Sequence, residues 1–250
     1  MNATGLRITL GLVSVVGLVA LWWLYVALTG VPPYVLPRPE VVGAEIVRLF
    51  ASGSIWPHLA HTLGVLLAGF AIGSVAGALL GCVLAKAPRV ERVVGPYLFF
   101  FQTAPKIALA PLFILWFGLG LASQLVLVVS LVFFPVMVGA LLGMHSVPAR
   151  LRDLAGILKM TPIQRLRLVE LPSAVPELFA GLKVAAVQAT IGAILSEWMS
   201  GDSGLGYLMV FASTTYRTPL LFAMVLLTAL LGIVLYQSLA LIERRLLSWR

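Results

Sequence analysis

The stretch RLRDLAGILKMTPIQRLRLVELP (Arg150–Pro172) is a basic, amphipathic island between long apolar runs. Leu151, Leu154, Ala155 and Leu158 recur at i, i+3, i+4 and i+7, which is the spacing of one face of a helix. The surrounding apolar runs indicate only that the chain is embedded in a bilayer. A structured polar segment among them needs a partner, and its residues alone fit equally an interfacial helix lying on anionic lipid and a surface that docks a protein.

A corner is predicted in the middle of this island. Lys159 and Met160 break the helical pattern, and a signal for a new helix follows. Thr161 is a favourable N-cap, Pro162 suits the first helical position, and Gln164 completes a capping box. We therefore expect two short helices that meet at Lys159–Thr161.

The second of these helices is expected to run from Pro162 to about Glu170. It should stop before Pro172, because the residue that precedes a proline disfavours the α conformation. Pro176 can then begin the next apolar span. These limits define a structured loop, residues 144–176.

Composition sets the class of protein. Of the 250 residues, 61% are hydrophobic and only 10% are charged, and the mean hydropathy is +1.07. A soluble domain carries about 25% charged residues. Continuous apolar runs rather than alternating residues favour helices over a β-barrel. The net charge of +8 then indicates membrane topology rather than nucleic-acid binding, and the single cysteine, Cys82, excludes a disulfide framework.

The predicted fold class is an all-α integral membrane protein with six transmembrane helices. The spans run approximately over Leu6–Leu28, His58–Ala85, Val93–Phe117, Ser123–Gly143, Glu177–Met199 and Leu220–Ile242. The first two are joined by a polar segment, residues 29–57, in which Pro39–Phe50 resembles a short interfacial helix with proline in its first turn.

Basic residues orient these spans. With the N-terminus inside, 13 of the 17 Lys and Arg face the cytoplasm. They are Arg7, Lys86, Arg89, Arg92, Arg150, Arg152, Lys159, Arg165, Arg167, Lys183, Arg244, Arg245 and Arg250. Arg38, Arg48 and Arg217 fall outside, and Lys106 lies within the third span. The positive-inside rule thus predicts that both termini and the island are cytoplasmic.

A glycine stripe in the second span bears on helix packing. Gly69, Gly73, Gly77 and Gly81 recur every fourth residue and form a stripe on which another helix can pack closely. The same stripe would also suit a sliding surface between moving helices.

The third span contains Pro96, Pro105 and Pro111, with Lys106 among them. A charge within a membrane marks a pathway or a paired group, although Lys106 at an ill-defined span end could also snorkel to the interface. Gln102, Lys106 and Glu197 are the candidate solute-pathway residues by polarity and position. Glu197 lies either at the outer end of the fifth span or in a cavity.

The island resembles the cytoplasmic "EAA" loop of ABC importer permeases. Asp153-Leu154-Ala155 occupies the Glu-Ala-Ala positions, and Val169-x-Leu171-Pro172 matches the end of the motif. Lys159 stands where the family has glycine, and this residue is strained if the corner requires a positive φ. The resemblance assigns ATPase coupling to the loop, through Asp153, Leu154, Ala155, Leu158, Lys159, Met160, Thr161, Pro162 and Arg165.

Four further stretches resemble the subfamily of permeases for aliphatic sulfonates, taurine, nitrate, thiamine-precursor pyrimidines or riboflavin. They are APKIALAPLFILWFGLG (104–120), LVFFPVMVGALLGMHSV (131–147), LPSAVPELFAGLKVA (171–185) and SEWMSGDSGLGYLM (196–209). The resemblance implies a type I importer fold in a bacterial inner membrane. It implies two permease subunits, as a homodimer, two ATPase subunits and an extracytoplasmic solute-binding protein. The chain has no Gly-Lys dipeptide and hence no Walker A loop, so ATP and Mg²⁺ are expected on the ATPase chains and no cofactor on this one.

Two other classes of protein compete with this interpretation. A stand-alone secondary transporter or channel would move solute without an ATPase. A membrane enzyme would need a convergent set of acids, bases or metal ligands. His58, His61 and His145 are the only histidines, and their positions predict neither a catalytic site nor a metal site.

Overall fold

A computed structural model describes the backbone of residues 3–247 and the side chains of residues 13–247 except Ser200. Within these residues the chain is helical and has no strand, which confirms the all-α fold. The helices are α1 (Ala3–Thr29), α2 (Pro39–Ala51), α3 (Ile55–Lys86), α4 (Pro88–Thr103), α5 (Ala110–Phe117), α6 (Leu121–His145), α7 (Ala149–Ile157), α8 (Pro162–Arg165), α9 (Leu171–Ser200), α10 (Leu205–Thr214) and α11 (Thr218–Leu246). The side chain of Arg7 and all of Arg250, both counted in the topology, lie outside the described residues.

The described residues contain four helical stretches that are long and apolar enough to cross a membrane. They are α3, α6, α11 and the continuous stretch Pro162–Met199, which includes α9. The pair α4–α5 makes a fifth crossing if its two limbs count as one span, and α1 contributes a shorter apolar stretch, Val13–Thr29. A total of six spans is reached only if the α4–α5 pair and α1 each count as one crossing.

The third predicted span is broken rather than merely interrupted. Its two limbs are bent by 79° where α4 ends at Thr103 and a 3₁₀ turn begins at Lys106. Ala104, which precedes Pro105, has an extended backbone with ψ 137°, because the proline ring disfavours the α region there. Pro96 lies inside α4 and Pro111 in the first turn of α5, so only Pro105 accompanies a break.

The centre of the molecule is a bundle of α3, α6 and α9. The four glycines of the α3 stripe are all buried and face α6. A Cβ atom at Gly69 would lie 2.5 Å from Cγ1 of Val128, and one at Gly73 would lie 2.8 Å from Cβ of Val132. Such spacing brings the two backbones close enough for extensive van der Waals contact, which replaces the hydrophobic effect inside a bilayer.

The opposite face of α6 packs equally closely on α9. A Cβ atom at Gly139 would lie 3.1 Å from Cα of Gly181. On the island side, Lys183 of α9 forms an ion pair with Glu243 of α11. The bundle is thus closed by small residues in the membrane and by a charge pair near its end.

The predicted end of the second island helix before Pro172 is wrong. After α8 the chain makes a π-helical turn, Leu166–Glu170, and continues into α9 without a break. In this turn the N–H of Leu171 donates to the carbonyl of Leu166, five residues earlier. Pro172 is accommodated in the first turn of α9, directly after this π-helical turn. Pro176 consequently lies inside α9 rather than at its start.

Candidate functional site

The first helix of the island presents apolar side chains to solvent. Ala155 of α7 is buried, but Leu154, Ile157 and Leu158 are 48%, 77% and 58% exposed. The predicted apolar face is therefore only partly used within the chain. Asp153 is also exposed and forms no ion pair with the described residues. These side chains are available to a partner.

The corner has a defined hydrogen-bonded geometry. The N–H of Lys159 donates to the carbonyl of Gly156 (3.0 Å), and the N–H of Met160 donates to that of Ala155 (3.0 Å). This pair of bonds is a Schellman motif, whose C′ residue adopts a left-handed conformation. Lys159 has φ 47°, so a lysine occupies a conformation that favours glycine. The strain anticipated for a positive φ at this position is present.

The next helix begins with the expected capping box. The hydroxyl oxygen of Thr161 accepts from the N–H of Gln164 (3.3 Å), and Oε1 of Gln164 accepts from the N–H of Thr161 (2.8 Å). Pro162 occupies the first turn. The corner is consequently rigid on both sides of Met160.

Ion pairs attach the island to the spanning helices. Glu170 contacts Arg165 (2.9 Å) and Lys86 at the end of α3 (3.5 Å). Arg152 donates to the carbonyl of His145 at the end of α6 (3.0 Å), and His145 contacts Glu91 of α4 (3.4 Å). The island is therefore attached directly to α3 and α6, and through His145 to α4.

Sequence reasoning missed this network. Glu170 and Arg165 are five residues apart, a spacing that does not bring side chains together on an α-helix. The π-helical turn between them changes that geometry. The partners of Glu170 and Arg152 on other helices leave no local signal in the sequence.

A cavity of about 420 Å³ lies among α4, α6 and α9 and brings together two of the three candidate pathway residues. Gln102 and Lys106 line it, together with Phe134, Glu177 and Gln188. Glu177 and Gln188 were not singled out from sequence, because isolated polar residues in a helical pattern do not reveal which side they face.

Lys106 is held in two ways at this cavity. Its Nζ atom donates to the backbone carbonyl of Gln102 (2.7 Å) and lies 4.7 Å from the centroid of the Phe134 ring. The carbonyl of Gln102 would accept from the N–H of residue 106 in an uninterrupted helix, but the helix ends before it does. The ammonium group replaces that missing donor, and the aromatic face stabilises its charge.

Glu197, the third candidate, lies elsewhere. It is 1% exposed and follows Gln188 along α9 by nine residues, which is about 14 Å of helix. Its Oε2 accepts from the N–H of Gly206 (2.7 Å). Thus Glu197 faces the first turn of α10 and not the cavity of Lys106.

Two residues of α3 complete the cap on α10. Oγ1 of Thr62 accepts from the N–H of Leu205 (2.8 Å), and Nδ1 of His58 accepts from the N–H of Gly204 (3.1 Å). Three N–H groups that would otherwise lack helical partners are satisfied by side chains of other helices. We call His58, Thr62 and Glu197, with the backbone that they hold, the α10 clamp.

Histidines here act in packing and hydrogen bonding. The ring of His58 stacks on Tyr207 with a centroid distance of 6.0 Å, and Nε2 of His61 is 3.0 Å from Oε1 of Gln124. Among residues 3–247, no three His, Cys, Asp or Glu side chains are grouped in a way that could hold a metal ion.

Outside the spans, α2 is joined to the start of α11. The Glu45 carboxylate accepts from Nε of Arg48 (2.9 Å) and from Arg217 (3.4 Å). The hydrogen bond from Arg48 lowers the pKa of Glu45, against an opposing effect of burial. Arg38 contacts Glu40 (3.9 Å), so all three arginines predicted on the outer face are paired with a carboxylate.

Comparisons with known proteins agree with this architecture. Residues 69–248 match the family model described as "Binding-protein-dependent transport system inner membrane component". The chain is 36% identical to the riboflavin transport system permease protein RibX of Chloroflexus aurantiacus, over 99% of this chain and 90% of RibX. It is 35% identical to the formylaminopyrimidine transport permease protein ThiX of Halalkalibacterium halodurans, over 93% of this chain and 92% of ThiX.

A solved structure shows the same fold. A chain of the MetNI methionine ABC transporter, in an inward-facing conformation, superposes with a TM-score of 0.59 at 22% identity, covering 77% of this chain and 94% of that chain. The predicted type I ABC importer fold is thereby confirmed. With the family match over more than half of its length, the chain belongs to the inner membrane permease components of binding-protein-dependent ABC importers.

Proposed function

We propose that this permease subunit forms half of a translocation pathway, pairs with a second copy of itself, and is driven by two separate ATPase subunits. It performs transport rather than chemistry, with ATP and Mg²⁺ bound by the ATPases and no cofactor on this chain. The observation that carries the proposal is the exposed apolar surface of α7 next to a rigid corner. That surface is formed by Leu154, Ile157 and Leu158.

Exposure of these side chains has a physical consequence. Together they form an apolar surface on a segment that is otherwise basic and hydrated. Burying one such side chain contributes about 1.5–3 kcal/mol. An ATPase groove that covers α7 would gain this free energy, while the hydrogen bond from Arg152 to the carbonyl of His145 holds the helix against α6. Closure of the ATPases would then pull on α3, α4 and α6.

Charge distribution supports the orientation that this mechanism requires. Arg244 and Arg245 at the end of α11 lie at the same end of the bundle as the basic residues of the island, since the neighbouring Glu243 pairs with Lys183 in the half of α9 that adjoins the island. We assign this end and both termini to the cytoplasm, in a bacterial inner membrane. The α10 clamp would then face the outside, where an extracytoplasmic binding protein delivers the solute.

The cavity of Gln102 and Lys106 is the proposed solute pathway, whereas Glu197 faces α10 and does not line this cavity. Candidate solutes are a sulfonate, taurine, nitrate, a thiamine-precursor pyrimidine or riboflavin. RibX and ThiX carry riboflavin and formylaminopyrimidine in their names. Ligand identification on the partner binding protein would decide among these classes.

The test of ATPase coupling is a charge placed on the exposed apolar surface. Ile157→Asp should leave membrane insertion intact and abolish co-purification of the ATPase subunit. Val47→Asp on α2 is the matched control, since Val47 is also an exposed aliphatic side chain but lies at the other end of the molecule. Normal ATPase association of Ile157→Asp would contradict the docking assignment.

A second measurement separates the importer from a stand-alone transporter or channel. Proteoliposomes that contain the permease alone should show no uptake. Uptake should appear when the ATPases, ATP and the solute-loaded binding protein are added. Solute movement without the ATPases would favour the alternative.

A further inference from the structure

A second cavity, of about 580 Å³, lies between the island and the bundle. Lys86, Arg152, Arg165 and Glu170 line it, as does His145. Lys86 is the last residue of α3 and His145 the last of α6, so two spanning helices end at its wall. The cavity therefore lies at the boundary between the apolar part of the bundle and its hydrated surface.

Positive charge is in excess inside this basic cavity. Three fixed cations, Lys86, Arg152 and Arg165, face a single carboxylate, that of Glu170. Glu170 contacts Lys86 and Arg165, whereas Arg152 forms no ion pair with the described residues. The neighbouring Glu91 is directed to His145 instead.

The guanidinium group of Arg152 has N–H donors left for a ligand. Its guanidinium group carries five N–H donors in a planar fork, and the structure shows one hydrogen bond from it, to the carbonyl of His145. A guanidinium fork matches the oxygens of a phosphate group, and a lysine ammonium supplies a second charge. The usual partner of such an arginine would be a carboxylate of the same chain. The carboxylate that lines this cavity, Glu170, already pairs with Lys86 and Arg165.

We propose that the basic cavity binds the phosphate group of an anionic phospholipid from the leaflet on the island side. The cavity lies where α3 and α6 end, and basic pockets of this kind at the ends of membrane helices hold anionic headgroups in other membrane proteins. The phosphate would bridge Arg152 of α7 to Lys86 of α3. This lipid would brace the island against the bundle in addition to the ion pairs of Glu170.

The test is lipid retention by the full-length chain. Protein reconstituted in nanodiscs of mixed phosphatidylglycerol and phosphatidylcholine is released into detergent, and retained lipids are counted by native mass spectrometry. The wild type should retain phosphatidylglycerol selectively. Arg152→Gln should weaken this retention about fivefold, the effect of one basic residue near an anionic surface. Arg152→Lys should keep most of it.

Arg150→Gln is the matched control. Arg150 lies on the same helix and is exposed but does not line the cavity. Equal losses in Arg150→Gln and Arg152→Gln, or no preference for phosphatidylglycerol in the wild type, would overturn the proposal. Helix content and elution volume of each variant establish that it is folded.

Two further outcomes would assign a different ligand to the basic cavity. Inorganic phosphate that binds through Arg152 while no phosphatidylglycerol is retained would replace the lipid by a free anion. Complete loss of the retained lipid on assembly with the ATPase would assign the cavity to a protein contact. Either result would refute the lipid site, and neither depends on transport activity.

Discussion

The corner of the island and the α10 clamp solve the same problem in different ways. Both satisfy backbone groups at a helix end. At the corner, the bonds of Lys159, Met160 and Thr161 reach at most five residues along the chain. At the clamp, the partners of Gly204 and Leu205 are 146 and 143 residues away. A local sequence therefore specifies the first end, and only the assembled bundle specifies the second.

The corner and the α10 clamp also differ in their exposure to water. The corner is exposed, so water can replace a lost partner there. Glu197 and Thr62 are buried, and a backbone N–H that loses its acceptor in that setting keeps its full desolvation cost. We therefore expect substitutions at the clamp to be more destabilising than substitutions of similar size at the corner.

The largest effect is expected for Gly204→Ala. Gly204 has φ 108°, a conformation that L-residues rarely adopt, and a Cβ atom there would overlap the carboxyl group of Glu197. Strain and overlap together should lower the free energy of unfolding by about 3 kcal/mol or more. Thermal unfolding in detergent measures the loss.

Gly30→Ala separates the two causes. Gly30 also has a positive φ, 62°, but no atom lies within 4 Å of its Cβ position. Its substitution should cost only the conformational strain, about 1 kcal/mol. Equal losses at both positions would show that the carboxyl group of Glu197 does not fill the space beside Gly204.

Removal of the clamp carboxylate should have the next largest effect. Glu197→Ala leaves the N–H of Gly206 buried without its acceptor, at a cost of about 2–3 kcal/mol. Glu197→Gln keeps an oxygen acceptor in the same place and should recover much of that loss. Hydrogen exchange in the first turn of α10 should rise in the alanine variant. Unchanged exchange there would remove Glu197 from the clamp.

Loss of the local cap should be smaller. Thr161→Ala removes the acceptor for the N–H of Gln164 and should destabilise the corner by about 1 kcal/mol. Hydrogen exchange of the Gln164 amide measures this loss. Thr215→Ala is the control, because the exposed hydroxyl of Thr215 donates only to the carbonyl of Phe211 and caps no N–H group. A loss at Thr161 as large as at Glu197 would contradict the contrast between the two sites.

The same contrast explains what could be predicted from sequence. Apolar periodicity, proline at the first helical position and the Thr161–Gln164 pair are local, and each identified a feature that the structure contains. The α3 glycines were recognisable because their repeat equals nearly one helical turn.

Other features depend on contacts between distant segments. His58, Thr62 and Glu197 are separated along the chain, and nothing local pairs them with α10. The continuation through Pro172 needed a π-helical turn, whose shifted register a rule about the residue before proline does not anticipate. Polarity makes Glu197 a candidate pathway residue, but it does not reveal the direction in which a buried side chain faces.

Lys159→Gly should have the smallest effect and the opposite sign. The left-handed conformation costs an L-residue about 1–2 kcal/mol, and glycine removes that cost but adds entropy to the unfolded chain. The net result should be a stabilisation of about 0.5–1 kcal/mol, seen as slower hydrogen exchange of the Met160 amide that donates to Ala155. Leu158→Gly is the matched control: Leu158 has φ −74°, so glycine there should accelerate the same exchange. If both variants accelerate it, Lys159 is not strained, and the corner depends on the lysine side chain rather than on the backbone conformation.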